Sequence, residues 1–155
     1  MKRLFVVGMV WALMCTSVAS VWAGEHRYGP YPKLYGQECA SCHVAYPPEL
    51  MTVAGWRQVM QQLGKHYGTD ASLDAGPQAE ISAFLERQAS RRAKHAPTEV
   101  SARLSRSNWF VHEHGQTPPS KLSFARCEAC HTGAEQLDYS ERGLRLPAGY
   151  RKRGD

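Results

Sequence analysis

The chain is poor in aliphatic side chains outside its first 23 residues. Residues 24–155 contain one Ile, ten Leu, five Val and three Phe, which is 19 of 132 residues. Chains below roughly 20% in these residues fail to fold when they are also highly charged, but the formal net charge of residues 24–155 is only +3. This composition excludes a large aliphatic core, and we expect a flat apolar cofactor to fill part of the interior.

Cysteine is absent from residues 24–155 except in two copies of the pentapeptide Cys-x-x-Cys-His. The copies are residues 39–43, within ECASCH, and residues 127–131, within RCEACH. No cysteine is therefore left for disulfides elsewhere in this part of the chain. The pentapeptide is typical of the covalent attachment of haem c.

The spacing within each pentapeptide explains this chemistry. On a helical turn the positions i, i+3 and i+4 lie on one face, so two thiols and an imidazole point the same way. The thiols can form thioethers with the two vinyl groups of a haem, and the imidazole can bind its iron from the proximal side. We therefore predict two covalently bound haem c groups, with thioethers at Cys39, Cys42, Cys127 and Cys130 and proximal iron ligands at His43 and His131.

Other uses of the four cysteines explain less of the pattern. A Cys₄ zinc site favours about 15–20 residues between its two pairs, whereas 84 residues separate Cys42 from Cys127. A disulfide scaffold or a thioredoxin-like redox pair gives no role to the histidine that follows both pairs.

No histidine or methionine follows His131, which excludes a strong distal ligand from the downstream chain. The nearest upstream candidates end the stretch SNWFVHEHG, in which Ser107 can cap a short helix and Gly115 can end it. His112 and His114 are two positions apart, so they face different directions on a helix. We expect His114 to be the distal ligand of the second iron, with His112 as the alternative.

Residues 52–63 are predicted to form a helix with an apolar stripe at helical spacing, made of Val53, Trp56, Val59, Met60 and Leu63. Gly64 ends this helix. His66 follows in the exit turn, where its ring can lie over a haem packed on the stripe. We predict His66 as the distal ligand of the first iron and Met60 as a core side chain.

A second helix is predicted after Asp74, a suitable cap, with Pro77 in its first turn and a small buried face formed by Ile81, Phe84 and Leu85. Residues 87–99 are basic and polar, so we predict a helix end and a linker in which His95 is solvated. The fold class is predicted to be mainly α: two small haem-binding lobes with short helices and long loops, in which the haems form much of the core.

The first residues indicate export. Lys2 and Arg3 precede an uncharged, mostly apolar stretch with small side chains at Val21 and Ala23, typical of a cleaved signal peptide. We predict a signal peptide at 1–23, a first lobe at 24–96, and a second lobe with a basic tail at 97–155. The protein is then periplasmic; a retained leader would anchor it to the membrane, because the stretch is just long enough to span a bilayer.

Four blocks of the sequence resemble the small periplasmic dihaem cytochrome c family (DHC) of bacteria. They are ECASCHVAYPPEL, GWRQVMQQLGKHYGTDASLD, NWFVHEHG and CEACHTGAE, and they match in order and spacing over roughly residues 34–147. The resemblance implies two small, mostly helical haem domains with bis-histidine irons, and distal ligands at His66 and His114. It also implies a low-potential electron carrier that works with an oxygen-binding monohaem cytochrome c and a membrane b-type cytochrome.

These observations predict an exported dihaem cytochrome that carries single electrons between redox partners and is not an enzyme. The alternative is a haem enzyme or a gas or ligand sensor with one open iron. Export and a formal charge of only +3 exclude nucleic acid as a partner, whereas the basic tail allows contact with a membrane surface. Four aromatic side chains are expected to pack on or near the haem rings: Trp56, Tyr67, Trp109 and Phe110.

Overall fold

The computed structural model describes residues 26–98, 102–119, 122–148 and 150. Four α-helices occur in these ranges: α1 (Lys33–Cys39), α2 (Val53–Gln61), α3 (Ala75–Gln88) and α4 (Asn108–His114). Short 3₁₀ turns lie between and after them, and only isolated bridges, with no β-strand, occur in the same ranges. The predicted mainly α class with long loops is confirmed.

Helix α2 begins where its sequence predicts and ends slightly earlier. The Thr52 side chain caps it by accepting a hydrogen bond from the Gly55 amide at 3.4 Å. The helix ends at Gln61, and the chain tightens into a 3₁₀ turn at Leu63–Lys65. Met60 is buried with an exposed fraction of 6%, as expected for a core side chain.

Helix α3 packs on α2 through the face that its sequence predicted. Ile81, Phe84 and Leu85 are all buried. Outside this apolar contact, Arg57 of α2 forms a two-pronged ion pair with Glu86 of α3, at 2.6 and 2.9 Å. Helix α3 also packs against α1, whose last residue is Cys39 of the first motif.

Helix α4 is short, and its two ends are defined by the predicted residues. Ser107 is fully buried, and its hydroxyl accepts a hydrogen bond from the Phe110 amide at 3.2 Å. Gly115 ends the helix with φ +76°, in the left-handed region that favours glycine. Seven residues are thus held between two defined ends, which fixes the direction of the side chains on the last turn.

The core is one continuous cluster. It combines α1, α2 and α3 with residues of the second half of the chain, namely Ala102, Leu104 and Phe110. The first described residues also bond to the far end of the chain: the Tyr28 amide donates to the Leu137 carbonyl, and the Tyr139 amide to the His26 carbonyl. The boundary between two lobes after residue 96 stays a prediction.

No helix in the described ranges is long and apolar enough to cross a membrane. The predicted signal peptide at 1–23 lies outside the described residues.

Candidate haem centres

The first Cys-x-x-Cys-His motif lies across the end of a helix. Cys39 is the last residue of α1, and Cys42 is an exposed residue of the turn that follows. The spacing suggested one continuous helical turn, but the helix ends within the motif. The last α1 hydrogen bond, from the Ala40 amide to the Gly36 carbonyl at 3.0 Å, closes the helix before the second thiol.

His43, the last residue of this motif, has one ring nitrogen occupied and the other available. Its Nδ1 lies 2.8 Å from the Val44 carbonyl oxygen. Because a carbonyl only accepts, Nδ1 carries the proton, and Nε2 is left to bind a metal.

The ring of His66 faces that of His43. The ring centres are 6.2 Å apart, with an angle of 23° between the planes. An iron held between two imidazoles needs two metal–nitrogen bonds of about 2 Å and about 1 Å from each nitrogen to its ring centre, which adds to about 6 Å. The separation therefore fits one metal ion between the two rings.

A turn rather than a helix places His66. Its amide donates to the Leu63 carbonyl at 3.2 Å, at the end of the 3₁₀ turn Leu63–Lys65. The next residue, Tyr67, has φ +50° and puts its ring 4.9 Å from that of His66. Desolvation lowers the pKa of His66, and the charges of His43 and Arg103 lower it further, which favours the neutral form that binds metals.

The second motif forms a 3₁₀ turn, Cys127–Ala129, continued by a helical bond from the His131 amide to the Cys127 carbonyl at 2.8 Å. Burial lowers the pKa of His131, and the neighbouring His114 lowers it further. The Arg145 amide donates to the Cys130 carbonyl at 2.8 Å and holds the motif against the following segment.

His114 is the histidine of α4 that faces the second motif. Its ring centre lies 6.1 Å from that of His131, and the planes are 61° apart. The His112 side chain is 81% exposed and lies 3.2 Å from the Glu113 carboxylate. The structure therefore favours His114 over His112 as the partner of His131, while iron ligation itself stays a prediction.

Between α4 and the second motif lies a cavity of about 730 Å³. Cofactor sites commonly measure about 300–1,000 Å³. Both thiols of the second motif and both imidazoles line the cavity, together with apolar and aromatic side chains that include Trp109, Phe110, Phe124, Tyr139 and Leu144. Donor set, size and lining all suit a haem.

Unpaired polar atoms support this fit. In the described ranges, three buried side-chain atoms lack a hydrogen-bond partner: Glu128 Oε2, His131 Nδ1 and the Tyr139 hydroxyl. All three belong to the second motif or to the segment that follows it. Buried polar atoms are seldom left unpaired in a folded protein, so these three atoms need a partner that the described residues do not supply.

The alternatives for the cysteines lack a matching geometry. No disulfide joins any of the four motif cysteines. In the part of the chain that the structure describes, no group of three or more His, Cys, Asp or Glu side chains is arranged to hold a metal ion. The two cysteine pairs are therefore not placed to share one zinc ion.

Three of the four aromatic side chains that were expected near the haem rings contact a predicted distal histidine, while their packing on a haem stays a prediction. Phe110 stacks on His114 with ring centres 4.1 Å apart, Trp109 lies 6.2 Å from His114, and Tyr67 lies beside His66. Trp56 is instead a core residue, whose indole N–H donates to the Pro48 carbonyl at 2.8 Å.

The prediction that His95 is solvated is wrong. Its exposed fraction is 7%, its Nδ1 lies 2.9 Å from the Glu49 carbonyl oxygen, and its ring meets the edge of Trp109 at 5.2 Å. The basic composition of residues 87–99 described the neighbours of His95 correctly. The 3₁₀ turn Ala93–His95 nevertheless directs this one ring inward.

Comparisons with known proteins agree with this geometry. A family model described as dihaem cytochrome c matches residues 35–139. Two solved structures from Rhodobacter sphaeroides are similar. The first, a crystal structure of DHC, has 33% sequence identity and a TM-score of 0.58, and the match covers 74% of this chain and 96% of that chain. The second, of a diheme cytochrome c, has 31% sequence identity and a TM-score of 0.62, and the match covers 76% of this chain and 99% of that chain. A diheme cytochrome from Shewanella baltica has 30% identity and a TM-score of 0.62, over 76% of this chain and 96% of that chain.

No curated protein sequence matches the chain. The family match covers more than half of its residues, and the structural matches cover almost the full length of their counterparts. The chain therefore belongs to the dihaem cytochrome c family and is a c-type cytochrome with two covalently attached haem c groups.

Proposed function

We propose that the protein carries single electrons between redox partners, with both irons coordinated by two histidines. The thioethers would form at Cys39, Cys42, Cys127 and Cys130, and the ligand pairs would be His43 with His66 and His131 with His114. The observation that carries this proposal is the separation of the two ring pairs, 6.2 and 6.1 Å, each of which fits one iron.

The haem supplies a reversible one-electron couple at its iron. The role of the protein side chains would be to prevent other molecules from binding to that iron. Two imidazoles would close both axial positions, and bis-histidine ligation gives a lower potential than histidine–methionine ligation. Apolar and aromatic side chains around His114 would pack on the second haem. These features support an electron carrier over the alternative of an enzyme or sensor with an open iron.

Spectra of the oxidised and reduced protein test the ligation. We expect two low-spin haems, no high-spin charge-transfer band and slow binding of carbon monoxide after reduction. His66→Ala and His114→Ala should each open one iron, and His112→Ala is the control that should open neither. Rapid carbon monoxide binding by the unaltered protein would support the open-site alternative. Opening by His112→Ala but not by His114→Ala would reverse the assignment on α4.

Export to the periplasm with loss of residues 1–23 is a further part of the proposal. It is supported by the leader-like sequence and by haem c attachment, which takes place outside the cytoplasm. The mass of protein recovered from the periplasm of a host that matures cytochromes c should equal residues 24–155 plus two haems. A mass that includes the leader, or recovery in the membrane fraction, would indicate an uncleaved anchor.

We propose other redox proteins as partners, including an oxygen-binding monohaem cytochrome c and a membrane b-type cytochrome. A cationic rim, made of Arg91, Arg92 and Lys94, supports docking of an acidic surface. All three side chains are exposed and line the cavity of the second centre, and none has an ion-pair partner in the described ranges.

Changing the three cationic-rim residues to Gln tests this docking. The rate of electron exchange with an acidic monohaem cytochrome c should fall, and so should its dependence on salt. Lys33→Gln is the control, because Lys33 is exposed but lies outside the cavity lining. Unchanged exchange in the triple variant would exclude this rim as the docking surface.

A further inference from the structure

Tyr46 connects the two centres. It follows His43 by three positions, and its ring stacks on the His43 ring with centres 4.5 Å apart and planes 17° apart. Its hydroxyl donates to the Ala125 carbonyl oxygen at 3.2 Å. Ala125 lies two residues before Cys127, so one side chain contacts a predicted ligand of the first iron and the chain entering the second motif.

The surroundings of Tyr46 hold it in this position. The hydroxyl of Tyr35, itself 2% exposed, donates to the Tyr46 carbonyl at 2.5 Å. Pro47 and Pro48, which follow, are fully buried and limit backbone freedom. The backbone from which the Tyr46 side chain extends is therefore fixed.

The Tyr46 ring also lines the cavity of the second centre.

We propose that Tyr46 is the positioning residue for electron exchange between the two haems. Its ring fixes the plane of the His43 imidazole, and its hydroxyl holds the second motif at a constant distance. In each exchange one iron passes from Fe(II) to Fe(III) while the other passes from Fe(III) to Fe(II), and Tyr46 is neither oxidised nor deprotonated. This inference rests on the proposed ligation of the first iron by His43.

Two substitutions separate the two contacts. Tyr46→Phe keeps the stacked ring and removes the bond to Ala125, and Tyr46→Leu also removes the aromatic face. Tyr31→Phe is the matched control: its hydroxyl donates to a Glu49 carboxylate oxygen at 2.8 Å, and Tyr31 does not line the cavity. Each holoprotein is examined by electron paramagnetic resonance when oxidised, and by NMR exchange between haem methyl signals when half reduced.

In Tyr46→Phe we expect unchanged resonance signals and intramolecular exchange that is several-fold slower. Tyr46→Leu should also shift the signal of the first haem and leave that of the second in place. Tyr31→Phe should match the parent in signals and exchange, even where its thermal midpoint falls. A merely structural role would lower the thermal midpoint without changing the exchange rate.

Parent-like exchange in Tyr46→Phe, or an unshifted first-haem signal in Tyr46→Leu, would overturn the proposal. A high-spin first haem in the parent would instead refute the ligation on which the proposal rests. That failure appears before any change at Tyr46, so the two failures are distinguishable.

Discussion

The two centres share a motif and a ring separation but differ in what holds the distal histidine. His66 stands in a turn beside Tyr67, whose exposed fraction is 42%. His114 ends a helix whose start is capped by the buried Ser107, and it stacks on the buried Phe110. The protein core therefore fixes the predicted distal ligand of the second centre, whereas a surface turn fixes that of the first.

The predicted proximal histidines show the reverse, because the chain holds His43 of the first centre more firmly than His131 of the second. His43 has an Nδ1 bond to the Val44 carbonyl, and Tyr46 stacks on its ring. His131 has a buried Nδ1 without a partner in the described ranges. A hydrogen bond at Nδ1 fixes ring orientation and makes the ligand more basic. Each centre thus has one histidine held firmly by the chain, the proximal one in the first and the distal one in the second.

Removal of each haem in turn should produce the largest difference in stability between the two centres. Cys127→Ala with Cys130→Ala leaves a cavity of about 730 Å³ against the core residues Leu104 and Phe110. Apolar and aromatic side chains that line this cavity would lose the surface that covers them. Burial of one such side chain contributes about 1.5–3 kcal/mol, so a few of them equal the roughly 5–15 kcal/mol by which a domain is stable. We expect this variant to lose cooperative unfolding.

The companion variant, Cys39→Ala with Cys42→Ala, should keep a cooperative transition at a lower temperature, because Cys42 is exposed and Tyr67 is partly exposed. Mass spectrometry checks that each variant carries one haem, and circular dichroism follows its thermal unfolding. Equal loss of cooperativity in both would show that the two haems contribute equally to the core.

Removal of one aromatic ring beside each predicted distal histidine should produce a smaller difference in the free energy of unfolding. Phe110→Ala should lower the free energy of unfolding by about 3–5 kcal/mol, the usual cost of removing a buried aromatic side chain. Tyr67→Ala should cost about 1–2 kcal/mol, because it loses a hydrogen bond to the Ala102 carbonyl and a contact with Arg103 at 4.0 Å.

Denaturant unfolding of the oxidised holoprotein measures both values. The same samples report the fraction of high-spin iron, which should rise at the centre whose ring was removed. Similar free-energy losses for the two variants would contradict the distinction between a core-held and a turn-held histidine.

The sequence predicted the local elements around both centres, because each has a short-range signal. Ser107 and Gly115 predicted the ends of α4, and the spacing of Ile81, Phe84 and Leu85 predicted the buried face of α3. Long-range contacts have no such signal. Neither the bond from Tyr46 to Ala125 nor the pairing of residues 26–28 with 137–139 follows from a local pattern, since each joins segments about 80 or more residues apart.

The burial of His95 likewise had no local sequence signal. It leads to the smallest effect that we expect, a change in the pH dependence of stability. Burial is the main cause that lowers its pKa; the charges of Lys94 and Arg92 act in the same direction, and the bond to the Glu49 carbonyl opposes them. The unfolded chain binds a proton at His95 near pH 6.5, whereas the folded protein binds it only at a lower pH. Stability from this residue is fully present above about pH 6.5 and is lost as the pH falls toward the folded pKa.

His95→Asn tests this loss, because the Asn amide can keep the donor to the Glu49 carbonyl but does not titrate. The difference in unfolding free energy between pH 7.5 and pH 5 should be smaller in His95→Asn than in the parent. His112→Asn is the control: its side chain is exposed, so its pH dependence should follow the parent. If all three proteins lose the same stability on acidification, His95 is not held neutral by its burial, and the contact with Trp109 near the second centre is open to water.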